Sequence, residues 1–490
     1  MPLLKLDLDR RLGTIDPKVY GMFIEHLGRC IYGGIYEPGS PLSDQNGFRK
    51  DVLQAARDLQ VPILRWPGGN FVSGYHWLDG VGPEEKRPTR PDLAWNTTES
   101  NLFGTNEFIQ YCRALDTEPY ICANLGSGTM DEAAAWVEYC NRDIGTSYAN
   151  LRAEHGFEQP HKVIYWGLGN EMYGDWQIGH KNAQDYAKFA RLCAKVMKAT
   201  DPDIKLVLCG GQVLAHDRAA YLDWNWEVLD KCADVVDYIS YHTYWGPVKG
   251  QDPHYSTLAH PYRSEQDLRF LWQLIEQVRR DRHVAHPIKI ALDEWNVWYR
   301  IHDNQLEERY DLTDALAVAI YLNMMSRNCQ AIEIGNLAQM VNVIAPIFTS
   351  PEGMFLQTIY HPLRLAVEKS GPIALHAYVD CDTYSAEYVG LPAVGYLDAH
   401  ASFDESTKKL FVSLVNLGKD DAQKVEIRLH DADLAPEGQA HIVTGEAPDV
   451  VNDFGKERVS VRSQPISDVS AAFTYKLPPH AQAVLELDVR

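Results

Sequence analysis

No stretch of the 490-residue sequence approaches the ~18 consecutive apolar residues that a membrane-crossing helix needs. No membrane-crossing helix is expected from it. The opening segment Met1-Pro2-Leu3-Leu4-Lys5-Leu6-Asp7 also lacks the basic patch and apolar core of a secretion signal, so a soluble, cytoplasmic protein is expected. The sequon Asn96-Thr97-Thr98 carries no weight in that compartment. Cations are scarce: 46 Lys and Arg stand against 67 Asp and Glu, a net charge of −21. That balance argues against a nucleic-acid partner, whose binding rests on clustered Lys and Arg. The nine cysteines form no Cys-x-x-Cys pair and no repeated spacing, which reads as buried free thiols in a reducing compartment. Eighteen histidines include no His-Glu-x-x-His and no cluster at ligand spacing, so no metal site is expected. Gly167, Gly169 and Gly174 do not fall at Gly-x-Gly-x-x-Gly intervals, and no phosphate-binding loop occurs. No cofactor is expected. A neutral or small substrate fits this composition best.

What the chain does contain is a repeated alternation. Apolar strand candidates begin near Val19, Val61, Pro119, Val163, Lys205, Tyr238, Ile288 and Ala331. Helical stripes separate them: Tyr186, Phe189, Ala190, Cys193, Val196 and Met197 share one face, as do Leu268, Leu271, Trp272, Ile275 and Val278. Eight strands alternating with helices over about 320 residues predict a (β/α)₈ barrel. After about Pro372 the helical stripes stop and short alternating runs take over, at Leu410–Val415, Lys424–Leu429, Val459–Arg462 and Ala483–Val489. Turn-forming residues between them predict an antiparallel β-sandwich. Leu4, Leu6 and Leu8 alternate with charged residues and have no strand mate nearby, so this first strand is expected to join the sandwich. The division expected is 1–14 for that strand, 15–371 for the barrel and 372–490 for the sandwich.

Two strand ends carry the chemistry. Val163-Ile164-Tyr165 leads into Trp166-Gly167-Leu168-Gly169-Asn170-Glu171, and Ile288–Leu292 leads into Asp293-Glu294-Trp295-Asn296. Carboxylates are seldom buried unless paired or at work. Two of them delivered from two strand ends are what glycosidic bond cleavage uses, one to protonate the leaving oxygen and one to attack or to activate water. In a (β/α)₈ barrel the chemistry gathers at the C-terminal strand ends. Those ends also hold Glu25-His26, Arg65 to Asn70, Asn124, His242 to Trp245 and Asn336 to Gln339. Amides, acids and Arg exchange hydrogen bonds with hydroxyls, and Trp and Tyr offer flat faces to sugar C–H groups.

These residues, in this order, resemble the family 51 α-L-arabinofuranosidases along essentially the whole chain. The motifs are Phe23-Ile24-Glu25-His26-Leu27-Gly28-Arg29, Arg65-Trp66-Pro67-Gly68-Gly69-Asn70, Phe103-Gly104-Thr105-Asn106-Glu107-Phe108, Trp166–Glu171, Asp293–Tyr299 and Asn336–Asn342. The resemblance implies a retaining enzyme with Glu171 as general acid/base and Glu294 as nucleophile. It implies that Glu25, Arg65, Asn70, Asn170, Tyr244 and Gln339 hold the furanose, with Arg65 and Tyr244 also orienting Glu294. Trp298 is similar to a platform in the neighbouring subsite, and Trp95, on the long loop after strand two, to a residue lining the cleft. The substrate implied is an arabinose-containing oligosaccharide, and the assembly a homo-oligomer, with a hexamer suspected.

A retaining mechanism predicts the two carboxyls roughly 5–5.5 Å apart, with the charge of Glu294 raising the proton affinity of Glu171. Alternatives stay open: a β-xylosidase or endoglucanase on the same scaffold, or a non-catalytic carbohydrate-binding protein. Linkage preference rests on loops between strands that the sequence does not define. Other residues receive plainer readings. His26 and His242 are expected mainly as hydrogen-bonding groups behind the site, and Trp66 and Trp295 as packing against the barrel wall. Glu333 is expected to partner a buried cation. Asp293 is expected to point away from Glu294, because neighbours alternate along a strand.

Overall fold

All eight apolar runs are parallel strands of one closed barrel. The computed structural model describes residues 1–212, 217–299 and 306–490. The barrel strands, in chain order, are β1 (Gly21–Phe23), β2 (Ile63–Trp66), β3 (Glu118–Ala123), β4 (Tyr165–Leu168), β5 (Lys205–Leu208), β6 (Tyr238–Trp245), β7 (Lys289–Val297) and β8 (Ile332–Ala338). Each pairs with the next, and β8 pairs with β1 to close the ring. Inward-facing Ile63, Tyr120, Val207, Tyr238, Ala291 and Ile334 form a separate small core that plugs the barrel. With the interior filled, binding falls to the strand ends, and in this architecture to the C-terminal ones.

Helices cover the outside because their apolar stripes need the strands. In Ala183–Thr200, Tyr186, Ala190, Cys193 and Met197 are buried; in Pro253–Asp281, Leu268, Leu271, Ile275 and Val278 are. Leu312–Arg327 is buried nearly all round, since it lies between the barrel and a second layer. That layer is a nine-stranded sheet. Leu3–Thr14 sits inside it, antiparallel to Ile373–Asp380 and parallel to Gln423–His430. Leu4 and Leu6 therefore join Leu375, Val412, Ile427, Phe473 and Leu485 in a common core over which the sheet curls. The two layers are tied by Arg327, which donates to Asp398 at 2.9 Å and reaches Glu265 at 3.4 Å.

Candidate active site

The strand ends converge on one buried guanidinium. Arg65, at the end of β2, donates through Nη1 to Glu294 Oε1 at 2.7 Å and through Nη2 to Asn170 Oδ1 at 2.7 Å. Tyr244, at the end of β6, donates to the other Glu294 oxygen at 2.8 Å. Two donors from two strands thus fix both oxygens of one carboxylate. Gly169, after β4, has φ +81°, a conformation open to glycine, and the turn it makes directs Asn170 and Glu171 inward. Glu171 itself has φ +44°, which is strained for a residue with a side chain.

Asp293 does not point away from Glu294. From Leu292 to Trp295, β7 takes three steps where β8 takes two, from Gly335 to Leu337; the same slip against β6 falls between Ala291 and Glu294. This bulge breaks the alternation and turns both acids into the barrel. Asp293 accepts from Tyr120 Oη at 2.7 Å, lies 3.1 Å from His242 Nε2 and 3.5 Å from Arg65 Nε. Those partners outweigh burial and hold its carboxyl below the usual range.

Eight of the ten residues named from the sequence line a single cavity of about 440 Å³: Glu25, Asn70, Trp95, Glu171, Tyr244, Glu294, Trp298 and Gln339. Arg65 and Asn170 lie just behind it, each 1% exposed. A larger cavity of about 810 Å³ beside the hairpin Arg90–Glu99 contains none of the ten. The chemistry, not the size, marks the smaller one. Across it, one oxygen each of Glu171 and Glu294 and one nitrogen of His242 all lie within 4.8 Å of one another. The floor is a hydrogen-bonded set: Glu25 Oε1 accepts from Phe71 N and Trp95 Nε1, both at 3.0 Å, and Oε2 from Gln339 Nε2 at 3.0 Å. Asn70 accepts from Gln177.

Three groups have a larger part than the sequence reading gave them. His242 touches Glu171 directly, Nδ1 to Oε1 at 2.9 Å. Alternation carries that signal, because Tyr244 two positions along faces the same side. Trp176 donates from Nε1 to Glu171 Oε2 at 2.8 Å and is 45% exposed at the rim; it lies on a glycine-flanked turn that no periodicity reveals. Gln212 lines the cavity and accepts from Tyr173 Oη. The plainer readings hold for His26, which bonds Glu99 and Trp66, and for Trp66 and Trp295, buried against Phe108 and Tyr321. Glu333 sits outside the cavity, 2.9 Å from Tyr238 Oη and 3.7 Å from Lys18.

The electrostatics differ from expectation at Glu171. Burial pushes its carboxyl up, but the hydrogen bonds from His242 and Trp176 and the charge of the imidazolium outweigh that and bring it down. His242 is correspondingly raised to about 10: burial opposes its charge, and the charges of Glu294 and Asp293 more than compensate. Glu25 is pushed up to about 8 by burial and then by the charge of Glu294. A neutral Glu25 carries a hydroxyl that needs an acceptor, and the unpaired Oε1 of Gln339 supplies one once that amide is turned over. An unfolded glutamate releases its proton near 4.5 and the folded one near 8, so between those values the folded state binds more protons. Its contribution to stability therefore falls as pH rises through that window. Glu25→Gln keeps the hydrogen bonds without the charge. Its Tm should match the parent near pH 4.5 and exceed it increasingly up to pH 8–9 in thermal melts; a constant difference across pH would contradict the assignment.

The chain matches known proteins along most of its length. The family models described as α-L-arabinofuranosidase 1 domain and α-L-arabinofuranosidase C-terminal domain match residues 55–262 and 293–481. The chain is 42% identical to the GH51 α-L-arabinofuranosidase of Thermotoga petrophila, covering 99% of this chain and 100% of that one, with a TM-score of 0.92. It belongs to glycoside hydrolase family 51. Among its family relatives, the α-L-arabinofuranosidase of Thermotoga maritima, solved with arabinose, superposes with a TM-score of 0.91 at 42% identity over 99% of both chains. An intracellular exo-α-(1→5)-L-arabinofuranosidase of Halalkalibacterium halodurans is 42% identical over 84% of each chain. The chain is thus a glycoside hydrolase, built as a (β/α)₈ barrel with a C-terminal sheet-rich domain, like these solved relatives.

Proposed function

We propose that this glycoside hydrolase is an exo-acting, retaining α-L-arabinofuranosidase that removes terminal non-reducing arabinofuranose from arabino-oligosaccharides or arabinoxylan fragments. The observation that carries the reading is the placement of one carboxylate oxygen each of Glu171 and Glu294 within 4.8 Å of the other across a cavity of about 440 Å³. Retaining glycosidases hold their carboxyls ~5–5.5 Å apart, close enough for direct attack, whereas inverting ones leave ~6.5–9.5 Å for a water. Arg65 and Asn170, buried behind the Glu25 floor, back this end of the cavity, which favours a single terminal sugar over a chain threading through.

Glu294 attacks the anomeric carbon while Glu171 delivers a proton to the departing oxygen, leaving a covalent arabinosyl-enzyme. Glu171 then takes a proton from water, whose oxygen displaces Glu294 and releases arabinose. Two inversions give net retention. Glu25, Asn70 and Gln339 serve as hydroxyl partners for the furanose, and the Trp298 and Tyr244 rings, 5.4 Å apart edge to face, stand where the next unit begins. The mechanism needs no cofactor. A homo-oligomer, with a hexamer as the working expectation, and an intracellular location are part of the same reading; the Halalkalibacterium relative's name supports the latter and makes α-(1→5) linkages the first to assay.

The deciding experiment compares aryl α-L-arabinofuranoside with aryl β-xyloside and soluble β-glucan, follows the anomer first released by NMR, and traps the intermediate with a fluorinated or cyclitol inhibitor. Preferential arabinofuranoside cleavage, α-arabinose as first product and an adduct on Glu294 are expected. Inversion, or faster xyloside or glucan cleavage, would overturn the reading.

A further inference from the structure

His242 presents both ring nitrogens to carboxylates, Nδ1 to Glu171 Oε1 at 2.9 Å and Nε2 to Asp293 Oδ1 at 3.1 Å. A neutral imidazole has one N–H and can donate to only one of them. The other nitrogen would then set its lone pair against a carboxylate oxygen, in a site where His242 is 3% exposed. Two acceptors so placed require one proton more than the neutral ring supplies. Asp293 already accepts from Tyr120 and lies against Arg65, so the extra proton belongs on the other side, in the bond between Nδ1 and Glu171.

Resting on the assignment of Glu171 as acid/base, we infer that His242 is a positioning residue that stores the catalytic proton: in the free enzyme it is shared between His242 Nδ1 and Glu171 Oε1, and Glu171 passes it to the leaving oxygen. The groups facing the ring from the surrounding strands suit a stored cation. Glu171 follows β4, Asp293 and Glu294 lie on β7, and Glu294 Oε2 is 3.6 Å from Nδ1. Arg65 on β2 and Tyr120 on β3 back Asp293, Tyr244 on β6 backs Glu294, and the Cys209 thiol after β5 accepts from Met172 N. The raised affinity of His242 for its proton and the lowered affinity of Glu171 agree with this division.

The step balances. As the bond from anomeric carbon to leaving oxygen breaks, its electron pair goes to that oxygen, which takes the proton from Glu171. Glu294 bonds to the anomeric carbon. His242 is then neutral with its single proton on Nε2, facing Asp293. In the second half water gives its proton to Glu171, where it is again shared with Nδ1, and the water oxygen displaces Glu294 as a carboxylate.

His242→Asn retains an amide donor for Glu171 but cannot hold the proton. The alkaline limb of its kcat/KM profile should move at least one pH unit lower than the parent's. At neutral pH the loss should be on the order of 10²-fold on alkyl arabinofuranosides and under ~10-fold on nitrophenyl arabinofuranoside, which needs little acid assistance. In the parent enzyme, ¹⁵N NMR of labelled histidine should show both His242 nitrogens protonated at pH 7, the resonances being assigned by their displacement in Glu171→Gln. An unmoved alkaline limb with equal losses on both substrates, or a single-tautomer neutral ring in the parent, would overturn the inference. The NMR result stands even where the Asn variant does not fold. Failure of the acid/base reading itself would appear separately, as leaving-group independence in Glu171→Ala.

Discussion

Glu294→Ala is expected to reduce kcat/KM on aryl α-L-arabinofuranoside by on the order of 10⁴–10⁶-fold, the scale seen when a nucleophile is removed from an otherwise intact site. The carboxylate is held by Arg65 at 2.7 Å and Tyr244 at 2.8 Å, one donor per oxygen, so its position relative to the anomeric carbon is set by two strands and not by its own rotamer. Neither donor can replace it: Arg65 has no lone pair to offer, and the Tyr244 hydroxyl is pushed far above its usual pKa by burial and by the neighbouring carboxylates. The side chain is 7% exposed, so the substitution opens a small space that an anion can enter. Azide added to this variant should occupy the nucleophile's side of the sugar and give the arabinosyl azide of inverted configuration, since only one displacement then occurs. Circular dichroism should match the parent, because Arg65 keeps Asn170 and Asp293 as partners. Residual turnover above about one per cent, with no azide product, would place the nucleophile elsewhere.

The barrel was legible in the sequence because strands buried on both faces read as continuous apolar runs, and because those runs stop at polar residues. The sheet was only half legible. Gln423–His430 alternates cleanly and is read, but in Leu397–Asp404 the buried residues include Asp398, His400 and Ser402, which face the helix Leu312–Arg327 and hide the pattern. Leu434–Thr444 contains Pro436, Glu437 and Gly438 at a register shift, which reads as a turn. At the site, the ten residues converge because each sits at or beyond a strand end, a property sequence can supply. Asp293 could not be placed that way. Its direction depends on a bulge defined by register against β6 and β8, which no local window contains. The proton balance at Glu171 was unreadable for the same reason: it is set by His242, 71 positions away, and by an indole from a turn.

Glu171→Ala should separate the two halves of the reaction. Loss of the acid slows the first half on alkyl arabinofuranosides by on the order of 10²–10⁴-fold, the usual contribution of general acid catalysis. A nitrophenolate departs with little help, so its first step should survive and the second step, now without a base, should become limiting. A burst of nitrophenol followed by a slow steady state is the expected trace, with KM falling alongside kcat as the arabinosyl-enzyme accumulates. Azide needs no deprotonation, and the proposed mechanism puts the position vacated by Glu171 on the face of the sugar opposite Glu294. It should therefore speed turnover and give the arabinosyl azide of retained configuration, the mirror of the outcome at Glu294. Both results follow from two acids on opposite sides of one anomeric carbon. Were azide to give the same anomer with both variants, the acids could not be acting from opposite faces, and the separation of roles between 171 and 294 would be wrong however close their oxygens lie.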